Sequence, residues 1–452
     1  MATELKTLPI KNLLWKLSVP AIIGMTFNAL YNIIDGIFVG TATGESGIAA
    51  ISIVYPIQMI VIAIALTIGV GAASIYSRAL GEENFDKASR TMNTAFLLGI
   101  IVSVSLSITG IIFAESIAYM FGMVDTFKTE TMNYLEVIFY GSTLQVLGMI
   151  MNNMFRAEGK ARIAMIGMIV GTVTNLILDP IFIFDFGLGL GTRGAAIATV
   201  IGYACSFSYL FYHQYINDSY LKLKRKSLRI DFKLTKEIII VGLPALVRNS
   251  IAALIAVIIN NTFKNYSVDP MVSIAIYGVV SKTLLFVFLP IFGVLQGLAP
   301  IIGYNYGAKE YDRTKSVTIY ANKVTSTYFL TAAILAIIFT PQILMLFGIS
   351  ESTISISTTY MRLSFLFVPL VAAQIIISGY YQALGKSKEA TFIALLRQLI
   401  LLVPLALILP LFFGDIGVWV AIPTADLISS LVGIIIYKKE MISFSNLYLK
   451  SA

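Results

Sequence analysis

Long apolar stretches separated by short polar loops dominate this 452-residue chain. Hydrophobic residues make up 58% of it and charged residues 12%, and the mean hydropathy is +0.86, far above the range of water-soluble proteins. A helix of about 20 residues crosses the roughly 30 Å of hydrocarbon in a bilayer. We therefore predict an all-α, multi-pass membrane protein with about twelve transmembrane helices. The predicted spans lie near residues 14–39, 48–77, 91–114, 131–155, 162–184, 194–215, 237–263, 271–303, 317–340, 356–382, 390–413 and 416–437.

Two sequence patterns recur at one spacing. The loop that begins at Gly81 returns at Gly307, and the loop around Gly159 returns around Gly385, so that each pair is 226 residues apart (307 − 81 and 385 − 159). Duplicated halves are typical of transporters, which hold their substrates between two bundles. The predicted organisation is an N-terminal lobe (1–216), a basic linker (217–236) and a C-terminal lobe (237–452).

The cations lie mainly at the termini and in alternate loops. By the positive-inside rule these regions, and both termini, are cytoplasmic, which requires an even number of spans. Both copies of the repeated loop carry cations, so the two six-helix bundles are predicted to be parallel. The net charge of +8 thus reflects membrane topology and gives no reason to expect a nucleic-acid partner.

The sequence offers little for redox or metal chemistry. Cys205 is the single cysteine and His213 the single histidine, which excludes an internal disulfide and a histidine-rich metal cluster. We predict no cofactor. The segment from Pro9 to Leu17 is interpreted either as a short interfacial helix or as an ordinary basic lead-in to the first span.

Two carboxylates stand out inside the predicted spans, where an ionised side chain costs about 3 kcal/mol. Asp35 lies in the first span and Asp179 in the fifth, directly before Pro180. Each is a functional hypothesis for that reason. The alternative is that they are structural, hydrogen-bonded acids near the ends of their helices.

Further polar residues lie at helical spacing from these acids. One face of the first span combines Asn28, Tyr31, Asn32 and Asp35, and Asn175 shares a face with Asp179. Thr199 and Asn152 extend the set if their spans pack against it. The residues expected to bind substrate or line its cavity are Tyr31, Asn28, Asn32, Tyr134 and Asn152. Oxygen ligands of this kind suit a proton or Na⁺, and burial beside a second carboxylate favours holding one proton.

The second half differs from the first. Its spans contain one well-buried acid, Asp426, and cations within or near the spans. These cations either form a wall for an anionic substrate or are static ion pairs and snorkelling side chains, and we favour the second interpretation. They are Arg248, Lys282, Arg362 and Arg397.

The chain resembles the multidrug and toxic compound extrusion (MATE) family over essentially its whole length. The resemblance is carried by five stretches in order, at residues 17–20 with 31–40, 152–159, 175–180 and 194–199. It implies a V-shaped pair of six-helix lobes that export amphipathic organic compounds by alternating access, driven by inward flow of H⁺ or Na⁺. In the DinF-like branch the cation site falls on Asp35, Asn175, Asp179 and Thr199, with Tyr31 and Tyr134 as neighbours.

The resulting expectation is a secondary active multidrug efflux transporter, a monomer in the plasma membrane, and not an enzyme. Its substrates are expected to be small, cationic and amphipathic, and its first helix is expected to bend at a hinge formed by Pro20, Gly24 and Gly36. A flippase for lipid-linked oligosaccharides or lipids, of the same superfamily, is the alternative. An intramembrane aspartyl protease fits poorly, since the residues around Asp179 lack the Gly-x-Gly-Asp context.

Overall fold

The computed structural model describes residues 2–216 and 230–451, and within those ranges the chain is helical without a strand. Residues 217–229, which form most of the predicted linker, lie outside the described residues. The helices are α1 (Ala2–Thr7), α2 (Ile10–Gly81), α3 (Phe85–Ile112), α4 (Ala114–Met120), α5 (Lys128–Ala157), α6 (Ala161–Ile183), α7 (Gly191–Ile216), α8 (Phe232–Tyr266), α9 (Pro270–Gly307), α10 (Tyr311–Ile338), α11 (Thr340–Leu346), α12 (Ile354–Phe365), α13 (Val368–Ala383), α14 (Ser387–Leu395), α15 (Val403–Phe413) and α16 (Asp415–Ser451). A π-helical segment, Leu396–Leu402, joins α14 to α15.

The first two spans follow each other without a loop and are labelled together as α2. Its 72 residues would be about 108 Å long if straight, more than three times the hydrocarbon thickness. The helix breaks at Gly44, where φ is +66° and ψ is −150°, a conformation that glycine adopts without steric cost. Eleven helical segments of the described chain are long and apolar enough to cross a membrane, and α2 supplies two crossings. The prediction of twelve spans is confirmed.

The start of α2 also decides between the two interpretations of Pro9–Leu17. Ile10 begins α2, and Leu13, Leu14 and Leu17 are buried in the core. The segment is therefore the first turns of the first span, and the interfacial-helix interpretation is wrong. The separate short helix α1 precedes it.

The duplication seen in the sequence is present in the backbone. Helices α3 and α4 begin and end 226 residues before α10 and α11 (311 − 85 and 340 − 114). The same spacing relates the left-handed residues of the loops. Three pairs show it: Glu83 and Lys309, Gly122 and Gly348, and Gly159 and Gly385.

The two halves of the chain pack closely at the end of the molecule that carries the repeated loops. A Cβ atom on Gly71 of α2 would lie 2.1 Å from the backbone oxygen of Ile238 in α8. Conversely, a Cβ atom on Gly242 of α8 would lie 1.9 Å from the oxygen of Thr67. Small residues allow this backbone-to-backbone contact, as they do generally between membrane helices.

Side chains of α2 also bind the end of α13 in the other half. Ser74 Oγ donates to the Gln382 oxygen at 2.8 Å, and Arg78 Nη1 donates to the Leu384 oxygen at 2.6 Å. The Arg78 cation thus lies at the carboxyl end of a helix, where the dipole favours positive charge. Gly385 leaves the space for it, since a Cβ there would lie 1.6 Å from Nη1. We call these contacts of α2 with α8 and α13 the closed seam.

Candidate functional site

Helices α2 and α6 bring Asp35 to Asp179 by running side by side in one direction. A Cβ atom on Gly24 of α2 would lie 3.2 Å from the sulfur of Met168 in α6. Eleven residues further along each helix, about three turns, lie Asp35 and Asp179 (35 − 24 and 179 − 168). Their carboxyl groups are within hydrogen-bonding reach of each other.

Glycines position the polar residues of α6 and α7. A Cβ atom on Gly202 would lie 2.7 Å from the Gly171 oxygen and 3.3 Å from the Asn175 Cβ. This close crossing places Asn175 next to Thr199. Asn175 Nδ2 donates to Thr199 Oγ1 at 3.2 Å and to Asp179 Oδ1 at 3.1 Å. One amide group therefore connects the two helices and fixes the orientation of the Asp179 carboxylate.

Three tyrosines surround the carboxylates. Tyr134 of α5 shares a hydrogen bond with Thr199, and Tyr31, Tyr134 and Tyr203 lie close enough to Asp35 to interact electrostatically. The hydroxyl of Tyr203 accepts a hydrogen bond from Gln145 Nε2 at 3.2 Å. Tyr203 is absent from the predicted set, although its position four residues after Thr199 on one helical face could have indicated it.

The cluster is buried and rich in oxygen atoms that lack donors. Asp35 is 6% exposed, Asp179 0% and Asn175 2%. One side-chain oxygen of each has no hydrogen-bond donor: Asp35 Oδ1, Asn175 Oδ1 and Asp179 Oδ2. No lysine or arginine forms an ion pair with either carboxylate within residues 2–216 and 230–451. A shared proton or a bound monovalent cation would satisfy these atoms, because two adjacent ionised carboxylates repel each other. The predicted Na⁺ ligands fit this requirement.

The remaining predicted residues lie around the cluster or away from it. Asn28 and Asn32 are exposed on the same side of α2 as Asp35, with Asn32 Nδ2 bound to the Asn28 oxygen at 2.6 Å. Asn152 does not join the cluster. Its Nδ2 donates to the Ala164 oxygen at 2.8 Å. Ala164 lies 11 residues before Asn175 on α6 (175 − 164), a distance of about 16 Å along the helix.

The predicted hinge residues lie within regular helix in this structure. Pro20, Gly24 and Gly36 have helical backbone angles, and Gly44 is where α2 departs from them. Gly36 has open space beside it, since an added Cβ would meet no atom within 4 Å.

Three of the four cations singled out in the second half have local partners. Arg397 Nε binds Asp426 Oδ1 at 2.6 Å, which agrees with the static ion-pair interpretation. Arg362 Nε donates to the Ile337 oxygen at 3.0 Å. Lys282 lies 5.9 Å from the centre of the Phe347 ring, a cation–π contact. Arg248 is half-buried in α8.

Comparison with known proteins finds one family throughout. The MatE family model matches residues 20–181 and 244–408. The multidrug export protein MepA of Staphylococcus aureus is 26% identical over 428 residues, covering 95% of this chain and 93% of that protein. An outward-facing multidrug resistance MATE transporter of the MOP superfamily is 25% identical with a TM-score of 0.90, covering 97% and 98% of the two chains. A MOP-superfamily transporter of Pyrococcus furiosus, described as having a binding pocket of reverse polarity that suggests a different function, is 26% identical with a TM-score of 0.89 and covers 97% of each chain.

Proposed function

This chain belongs to the MATE family of multidrug efflux transporters, and we propose that it exports small cationic amphipathic compounds in exchange for inward H⁺ or Na⁺. It is a transporter and not an enzyme. The observation that carries the proposed coupling is the buried pair Asp35 and Asp179, in which one oxygen of each carboxyl group lacks a donor. Neither acid forms an ion pair with a lysine or arginine in the described part of the chain. A site of this composition in the first half is the arrangement that the DinF-like branch implies.

The proposed cycle links the charge of the site to the shape of the first helix. Binding of a proton or Na⁺ between Asp35 and Asp179 removes their repulsion and lets α6 and α2 approach. The helix then bends between Pro20 and Gly36 and reshapes the adjoining cavity. Drug and ion must favour different conformations, since a ligand with equal affinity for both would shift neither.

The conformation described here fits an outward-facing state. The positive-inside rule assigns the end with the closed seam, and both termini, to the cytoplasm. We propose that the protein is a monomer and that it lies in the plasma membrane. The lobes would be residues 1–216 and 237–452, joined by the linker 217–236. Asn28 and Asn32 are exposed opposite the apolar side of their helix, which carries Leu30, Ile33 and Ile37. This suits an aqueous opening that leads to Asp35.

A flippase for lipid-linked oligosaccharides or lipids is the second candidate. The Pyrococcus relative, with its pocket of reverse polarity, shows that this fold is not confined to one pocket charge. Arg248 is the side chain that favours this alternative, because it is a half-buried cation within a span. The pairing of Arg397 with Asp426 leaves less free positive charge for an anionic headgroup.

Transport by purified protein in lipid vesicles tests the function. Vesicles loaded with a fluorescent cationic dye would receive a pH gradient or a Na⁺ gradient, one at a time. We expect one of the two to drive dye movement. If neither gradient moves the dye while the vesicles flip a lipid-linked sugar without a gradient, the flippase is correct instead.

The hinge is tested by Gly36→Ala. We expect the variant to be as stable as the natural protein or up to about 1 kcal/mol more stable, because alanine favours helix and the added methyl group has space. Transport should nevertheless slow several-fold if bending at Gly36 is part of the cycle. Thermal unfolding and the dye assay measure the two effects, and unchanged transport would exclude Gly36 as a hinge.

A further inference from the structure

A cleft of about 310 Å³ lies between the two halves, where the first turns of α2 meet α10. Its lining residues are Lys11, Tyr320, Lys323, Val324 and Thr327. Lys11 comes from the first half of the chain and the others from the second. The cleft is separate from the carboxylate cluster, since Lys11 precedes Asp35 by 24 residues (35 − 11), or about 36 Å along the helix.

Aromatic side chains organise the cleft. Lys11 Nζ lies 5.8 Å from the centre of the Tyr320 ring. Trp15, one turn after Lys11, donates from Nε1 to the Tyr320 hydroxyl at 3.2 Å. Tryptophan and tyrosine prefer the level of the lipid headgroups, where an apolar ring and a polar atom are both accommodated. These contacts suit a cleft at the membrane boundary.

Two positive charges converge there without a carboxylate. Lys11 and Lys323 are exposed, and neither forms an ion pair within the part of the chain that the structure describes. The neighbouring Lys16 differs, because Glu4 neutralises it at 2.9 Å. A group with negative charge would therefore interact favourably with both free lysines.

Apolar surface continues from the cleft along both helices. On α2 the exposed residues Trp15 and Val19 follow Lys11 at intervals of four, and on α10 the exposed Leu330 and Ile334 lie beyond Thr327. A small soluble anion would make no contact with this apolar surface, whereas the acyl chains of a lipid would cover it. Two basic side chains next to an exposed apolar surface are typical of a lipid site between membrane helices.

We propose that this cleft binds the phosphate headgroup of an anionic phospholipid. The phosphate lies between Lys11 and Lys323, and the acyl chains follow the exposed residues of α2 and α10. The cleft lies toward the end of the molecule that carries the closed seam, since Arg313 at the start of α10 binds the Leu8 oxygen and Gly307 at the end of α9 contacts Arg78. Because each half contributes one lysine, the bound lipid bridges the halves and stabilises that conformation.

Native mass spectrometry of the purified full-length chain tests the proposal, with phosphatidylglycerol, phosphatidylcholine and inorganic phosphate as probes. We expect selective retention of phosphatidylglycerol. The double variant Lys11→Gln/Lys323→Gln should bind it about 30-fold more weakly, given the usual contribution of each lysine near a headgroup. The charge-preserving variant Lys11→Arg/Lys323→Arg should retain binding.

A matched control is Lys315→Gln/Lys388→Gln, which removes two exposed lysines that do not line the cleft. It should change lipid binding by less than about twofold. If the control variant lost phosphatidylglycerol binding to the same extent, the loss would be due to the lower net charge of the protein, and the proposed site would be wrong. Competition by inorganic phosphate at the same concentration as the lipid would overturn the lipid assignment in favour of a soluble anion. Neither result depends on transport, so the proposed function is tested separately.

Discussion

Asp35→Asn is expected to reduce gradient-driven efflux to the level of vesicles without protein. Asparagine has the shape of aspartate but cannot change its charge, so the site no longer releases and binds a proton or cation as the protein cycles. Thermal stability should be unchanged or higher, because the substitution removes a buried charge and its repulsion from Asp179. Dye transport in vesicles and thermal unfolding measure the two effects.

Glu45→Gln is the matched control for that variant. Glu45 is an exposed acid beside the Gly44 break in the same helix, and its loss should leave transport unchanged. Asp179→Asn should resemble Asp35→Asn, and the double variant should be no worse than either alone, since the two groups act as one unit. Full gradient-driven efflux by Asp35→Asn would remove the proposed coupling mechanism.

Gly242→Ala is expected to open the closed seam. The added methyl group would lie 1.9 Å from the Thr67 backbone oxygen, so α2 and α8 must separate. Overpacking of this kind costs about 1–3 kcal/mol, which shifts the population of the closed conformation by roughly five- to 150-fold. Transport should fall accordingly, because the cycle needs the seam to close.

Labelling of a cysteine at Ser77 measures the opening. Ser77 is 1% exposed beside the seam, and in a Cys205→Ser background Ser77→Cys should react slowly with a water-soluble maleimide. Adding Gly242→Ala should accelerate the reaction by a similar factor, roughly five- to 150-fold. Gly278→Ala is the control, since a Cβ there meets no atom within 4 Å. Equal labelling rates in the two glycine variants would contradict the steric argument.

Much of the site was predictable because helical spacing is a local property. Asp35 with Tyr31, and Asn175 with Asp179, follow from residues three or four apart on one helix. Their meeting depended on the register of α2 against α6, which the contact of Gly24 with Met168 fixes and which no local pattern encodes.

The differences between the predicted and the observed cluster have the same origin. Asn152 has a polar side chain at an acceptable helical position, but the nearest acceptor in the packed structure is the Ala164 carbonyl. Tyr203 was missed because the rotation of α7 decides whether it faces the carboxylates. The start of the first span was ambiguous because Lys11 and Lys16 make Pro9–Leu17 amphipathic, although burial of the intervening leucines places it in α2.

The duplicated backbone carries the two acids of the cluster, Asp35 and Asp179, in one copy only. The positions that correspond to Asp35 and Asp179 in the second half are Asn261 and Leu405, which cannot ionise (261 − 35 and 405 − 179 are both 226). On the proposed mechanism, the stoichiometry is therefore capped at two monovalent ions per turnover. The exchange of one ion for one monovalent cationic drug is electroneutral. A tenfold ion gradient then sustains at most about a tenfold ratio of drug concentrations across the membrane. Two ions make the exchange electrogenic, so that the membrane potential adds to a limit of about a hundredfold.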